Sequence, residues 1–229
     1  MHVRPFLFLL LAFLLFPLGC SGTKPELKNV LKSDIDMVSD IHLRQAETLI
    51  HELTGKLYRR NPRELRKVSG VSIQSRLTQL FAPDRVLNFA EIEHKQGVPA
   101  ILLALEPDYS GDRVFPLLVG ILSMIRSSYN NQSEFFLLDR LEPQKLYNSA
   151  RNIEVLVWRL RSRLATDGTP LILTNSLPGE EQNLSFERLF GKLIAHQDMM
   201  AMISAEKWDR ILNLVVHSAA TAVFLQVGL

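Results

Sequence analysis

Two stretches of this chain repeat apolar residues at alternating intervals of three and four, and that spacing leaves little room for anything but α-helix. Leu43, Ala46, Ile50, Leu53 and Leu57 make the first stripe; Leu146, Ala150, Ile153, Val157, Leu160 and Leu164 make the second. A helical turn takes about 3.6 residues, so these positions stack along one face that needs a partner to cover it. The second stripe opens at Glu142-Pro143-Gln144 and closes at Asp167-Gly168, with proline at the start and glycine past the end. Asn61-Pro62-Arg63-Glu64 reads as another start: Asn61 caps, Pro62 suits the first turn and Glu64 takes the capping-box position. That helix breaks or bends near Gly70 and continues through Ile73, Leu77 and Leu80 to Phe81.

The last helical region is predicted to begin with Ser185 as its cap and to bury Leu189, Leu193, Met200 and Ile203. No proline or glycine interrupts residues 192–227, which form one long helix or two meeting near Ser204. Residues 98–105 are apolar on both parities and suit a buried helix or strand; Gly111-Asp112-Arg113 opens a further apolar segment ending at Ile125. Residues 127–133 and 177–183 read as loops, and residues 169–174 as a short strand. There is no internal repeat at solenoid spacing. The expectation is a mainly α, single helical domain of about six to eight helices, with α+β the alternative.

The N-terminus is a different kind of segment. Met1-His2-Val3-Arg4 supplies a basic start, residues 6–16 are unbroken apolar, and Pro17-Leu18-Gly19-Cys20-Ser21 closes the run with small residues. Those three parts in that order read as a secretory signal peptide. The apolar stretch falls well short of the roughly 20 residues a spanning helix needs. Cys20 is the only cysteine in 229 residues. With it at that boundary, the segment resembles a bacterial lipoprotein signal and its lipobox, although Pro17 stands where leucine is usual. The resemblance implies cleavage before Cys20 and acylation of its thiol and new amino terminus. Several acyl chains on one residue anchor firmly where one binds only marginally. Ser21, in place of the aspartate that retains such proteins at the inner membrane, implies the outer membrane, facing the periplasm. The expected division is residues 1–19 signal peptide, residues 20–36 lipidated cysteine and flexible tether, and residues 37–229 helical periplasmic domain. Gly111-Asp112-Arg113-Val114-Phe115, the run from Leu146 to Asn152 and the run from Leu184 to Gly191 are similar to segments of uncharacterised proteobacterial envelope lipoproteins. That similarity implies location and no activity.

The formal charge of +2 gives no overall field for nucleic acid, which is not an expected partner. No cofactor is expected. With Cys20 acylated no thiol remains for a disulfide, so packing must supply the stability.

Catalytic and metal motifs are weak. Ser21-Gly22-Thr23-Lys24 and Ser204-Ala205-Glu206-Lys207 match a serine–lysine spacing, but the companion motifs of penicillin-binding proteins are missing. His51-Glu52 lacks the second histidine of a zinc helix because position 55 is Gly55. Glu91 and His94 would share a helical face, which reads as exposed and polar, and His196 and His217 read as core or boundary histidines. No metal site is expected. Glu180, Glu181 and Glu187 are the carboxylates to weigh for glycosidic cleavage, which needs a desolvated acid. Residues 211–229 carry no charge and are expected to form a buried core helix rather than a membrane anchor.

The basic run Lys56, Arg59, Arg60, Arg63, Arg66 and Lys67 includes only Glu64 as counter-charge. It suits contact with anionic head groups or an acidic partner. The plainer reading is that Arg59 and Arg60 complement the negative end of the preceding helix and the rest are solvated. Arg159, Arg161 and Arg163 admit the same two readings. Taken together, the residues favour a lipid-anchored, non-catalytic scaffold or accessory subunit with an envelope protein partner. A hydrolase acting on peptidoglycan or lipid, or a periplasmic lipid carrier, is the alternative.

Overall fold

The structure is a computed structural model that describes residues 32–82, 86–174, 176–177, 179–208, 212–213 and 223–227. The chain divides into two units after Lys32, and the second, residues 33–229, is the one described here. It is mainly α: seven helices and no strand among the described residues. In chain order they are α1 (Asp34–Arg60), α2 (Pro62–Arg66), α3 (Ile73–Phe81), α4 (Gly97–Ala104), α5 (Val114–Ser128), α6 (Pro143–Ser162) and α7 (Ser185–Lys207).

α1 begins at a capping box. Ser33 accepts the N–H of Asp36, whose carboxylate accepts the N–H and hydroxyl of Ser33 at 2.8 and 2.7 Å. Ordered helix therefore starts three residues before the expected boundary at residue 37. The whole first stripe of α1 is buried, as are Leu146, Ala150, Ile153 and Leu160 of α6, with Val157 partly so. Leu164 is not on that helix, which ends at Ser162; it is exposed and makes one isolated bridge with Pro170. That bridge is all that residues 169–174 contribute to sheet structure. The second predicted helix is broken near Gly70 as expected: α2 has five residues, and the chain turns through Gly70 (φ 72°) before Ser72 recaps it as α3. A positive φ suits glycine, which has no Cβ to clash.

α5 is buried on every side over residues 114–125, so it is the axis of the domain rather than an amphipathic surface helix. α4, a helix and not a strand, packs against it, as do α1 and α6; α7 covers α1 and α6. Gly120 permits the α4 approach. A Cβ there would lie 2.7 Å from the Gly97 carbonyl oxygen and 2.9 Å from the Ile101 nitrogen, both backbone atoms that cannot step aside.

α7 begins without the predicted Ser185 side-chain cap, the Ser185 N–H going instead to the Asn183 side chain. It also ends at Lys207, close to the junction near Ser204 that was one of the two readings, and does not run on to Val227. The stop coincides with side-chain anchoring: Lys207 reaches the buried Asp36, and Trp208 stacks under Arg140 at 4.6 Å. Beyond it, the described residues 212–213 and 223–227 are not helical, and most of residues 211–229 lies outside the described residues. Residues 223–227 instead run as a strap along α6. Asn152 holds Leu225 at both backbone atoms, accepting its N–H (2.5 Å) and donating to its carbonyl (2.7 Å). Asn61 holds Leu173 the same way, at 2.7 and 2.9 Å. In each case one asparagine side chain, on α6 for Asn152 and at the α1–α2 junction for Asn61, stands in for a β-ladder partner and satisfies a segment that has no ladder of its own.

Candidate functional site

Three places gather side chains that could carry chemistry or recognition: a buried polar corner where α1, α3 and α5 meet, a groove between α6 and α7, and a seam between α1 and α7.

The corner is built around Asp112. Its Oδ1 accepts the N–H groups of Val114 (3.0 Å) and Phe115 (3.2 Å), capping α5. Its Oδ2 accepts the Tyr58 hydroxyl from α1 at 2.7 Å and lies 3.1 Å from the Arg76 guanidinium of α3. Arg76 is fully buried. It donates to Glu91 at 2.6 and 3.0 Å and to Gln79 at 2.9 Å, and its plane rests 3.8 Å from the Phe115 ring centre, while its Nε finds no acceptor. Beside it the buried carboxylate of Glu64 accepts the Arg113 N–H at 2.8 Å and Lys67 at 2.7 Å. The Arg113 side chain turns back to the carbonyls of Ala104, Glu106 and Pro107, closing the end of α4.

Burial pushes the Asp112 carboxyl up, against the pull of Tyr58, Arg76 and the Phe115 N–H. Burial also carries the Tyr58 phenol far up, so it stays a neutral donor. For Arg76 burial works toward a lower value, but Glu91, Tyr58 and Asp112 outweigh it and the guanidinium is held up. The corner locks three helices together, with charges spent on one another and on backbone ends.

The groove is open and encloses about 480 Å³ between Val157, Trp158, Arg161 and Ser162 of α6 and Ile194 of α7, with Glu154 at one end. Trp158 is 40% exposed. Gly191, one turn before Ile194, has nothing within 4 Å of the position a Cβ would take. Glu154 is paired with Arg151 at 3.0 Å, which also reaches Asp198 at 2.6 Å. At the seam, His42 of α1 and His196 of α7 meet edge to face, ring centres 5.1 Å apart and Nδ1 atoms 3.4 Å apart.

Cys20 lies outside the described residues, as do His217 and the first serine–lysine match. Several members of the basic run have partners within the fold. Arg63 donates to the carbonyls of Pro170 (2.7 Å) and Leu171 (3.0 Å), and Lys67 to Glu64 and the Gly111 carbonyl. Arg60 pairs with Glu180, and Lys56 lies 5.6 Å from the Phe186 ring centre. Arg59 and Arg66 are exposed. Glu180 is held below the ordinary carboxylate range by Arg60, the reverse of what a general acid needs. In the second serine–lysine match Ser204 is buried and Lys207 is given over to Asp36. Glu91 and His94 do not share a helical face. Glu91 sits in a 3-10 turn facing Arg76, and His94 follows it in the left-handed region, paired with Asn88. Among the described residues no three His, Cys, Asp or Glu side chains converge as a metal set.

Sequence reasoning missed Tyr58, Arg76 and Trp158. The signal for the first two was Asp112-Arg113 at the head of an apolar segment: a charged pair entering a core helix needs partners inside. Comparison of the chain with known protein families, characterised proteins and solved structures returned no match.

Proposed function

We propose that this chain is a lipid-anchored envelope protein, held by acyl groups on Cys20 to the outer membrane and facing the periplasm. There it acts by binding a protein partner, as a scaffold or accessory subunit. The observation that carries the reading is the α6–α7 groove. Its floor is apolar, it is open to solvent, and it places exposed Trp158 beside the exposed guanidinium of Arg161. Tryptophan and arginine are the residues most enriched at binding hot spots. The occupant this fits is a partner segment that offers a large apolar side chain next to a carboxylate.

Two further features support binding over the rival activities. The polar corner is spent on the fold, whereas an active site keeps groups aimed at a place for substrate. A carrier shields an acyl chain in a closed cavity of some hundreds of Å³, whereas the α6–α7 groove is open to solvent and the pocket between α1 and the loop carrying Phe135 and Asp139 holds only about 10 Å³. Among the described residues no helix is long and apolar enough to cross a membrane, so attachment rests on Cys20 in this reading.

The test has two parts. Mass spectrometry of the mature N-terminal peptide is expected to show acylated Cys20; an unmodified Cys20 still carrying residues 6–16 rejects the anchor. Pull-down from membranes is then run with the lipidated protein and with Trp158→Glu and Arg161→Glu variants. Loss of the same partner from both variants, with unchanged thermal melts, is the expected result. A partner set indifferent to both rejects the groove as the docking site.

A further inference from the structure

The α1–α7 seam holds a contact that serves the fold poorly. The Nδ1 atoms of His42 and His196 face each other at 3.4 Å, beyond the 2.7–3.2 Å usual for a hydrogen bond from N–H. Two half-buried imidazoles held so gain little from each other. The same separation is what two nitrogens adopt on one ion. With metal–nitrogen bonds of about 2.0–2.1 Å and an angle between tetrahedral and trigonal, they stand about 3.3–3.6 Å apart. We propose that His42 and His196 form the nitrogen pair of a monovalent copper site whose third donor is the Met199 thioether.

Met199 lies three residues after His196, and positions three apart stack on one face of a helix. Its side chain is 52% exposed and so open to a ligand. Two imidazoles and a thioether are a soft donor set, and thioethers select Cu(I) over harder ions. The local charge points the same way. Among the described residues, the ionic group felt by His196 is Lys192, one turn back on α7, and no carboxylate joins the pair. A divalent ion would meet that ammonium with no anionic ligand to offset it, whereas a single positive charge pays half the repulsion.

The site stands apart from the α6–α7 groove, so it can fail without touching the proposed partner binding. The test uses the full chain with Cys20→Ser, which removes the only thiol, in detergent and under anaerobic reductant. Cu(I) is titrated against bicinchoninate as a competing chromophore. One tightly held Cu(I) per chain is expected. His42→Ala and His196→Ala should each weaken it by more than about tenfold, and Met199→Leu by a smaller factor, with zinc failing to compete. X-ray absorption of the loaded parent needs no variant to fold, and should show two nitrogens and one sulfur around copper. Binding as tight in the His42→Ala/His196→Ala double variant, preference for zinc, or a copper shell with fewer than two nitrogens would each overturn the assignment.

Discussion

Two buried polar clusters sit at opposite ends of α5, and they were made from different material. At its start, Tyr58, Arg76, Asp112 and Glu91 meet as an ionic set. At its end, Gln197 donates to the hydroxyls of Ser128 (3.0 Å) and Ser149 (2.7 Å), and each hydroxyl in turn donates to a carbonyl of its own helix. Losing Arg76 from the first leaves the charge of Asp112 stranded in the core. Losing one member of the second leaves hydroxyls whose protons are still satisfied. The contrast teaches that a buried polar group is costly to lose in proportion to what it leaves behind, not to the bonds it makes.

The sharpest way to break the comparison is Arg76→Met. It strands Asp112 and frees Glu91, and should cost about 3–5 kcal/mol in urea unfolding. A loss below about 1 kcal/mol would mean the corner is not the lock described. Next in size is Gly120→Ala, which pushes a methyl into the α4 backbone at the midpoint between the clusters. About 1–3 kcal/mol is expected, with α4 loosened in hydrogen exchange. Gln197→Met, matched in shape, should then cost no more than about 1.5 kcal/mol, since its own carbonyl oxygen already lacks a partner. A cost equal to that of Arg76→Met would erase the distinction.

Acid sharpens it further, because two carboxylates respond with opposite sign. Burial works to raise Asp36, but Ser33 and Lys207 outweigh it and the net direction is down. Its contribution is therefore present above the unfolded carboxylate value of about 4 and lost as pH falls through the lower folded value. Asp112 is raised, so its ionisation weakens the folded state as pH rises from that same value through its folded one. Urea midpoints between pH 3 and 7 should show a flatter acid limb for Asp36→Asn and a steeper one for Asp112→Asn. The smallest effect belongs to the surface. Arg59→Glu with Arg66→Glu should change stability by less than about 0.5 kcal/mol, whereas Arg63→Glu should cost about 1 kcal/mol through the carbonyls of Pro170 and Leu171.

The helical class and the stripes of α1 and α6 were legible because periodicity is a local signal that burial repeats. For α7 the residues left two readings open, one helix to Val227 or a junction near Ser204, without deciding between them. Freedom from proline and glycine permits helix over residues 192–227 but cannot show that Asn152, 73 positions away, takes the backbone of Leu225. The polar corner was half legible: Asp112-Arg113 ahead of a core helix demands partners, but Tyr58 and Arg76 each look like surface groups until three helices bring them together. The partners of the basic run were not legible either. Counting like charges between residues 56 and 67 could not reveal acceptors at Pro170, Leu171 and Glu180.

The paired grips of Asn61 on Leu173 and Asn152 on Leu225 have a temporal consequence. Amides in irregular chain exchange with solvent on every brief excursion, but these two can be freed only when an asparagine lets go of both backbone atoms at once. Leu173 and Leu225 should therefore behave as slow clocks set into fast segments, their exchange timing the release of each strap rather than the motion of its neighbours. In Asn152→Asp, which keeps the acceptor and loses the donor, the second clock should run fast while the first keeps time.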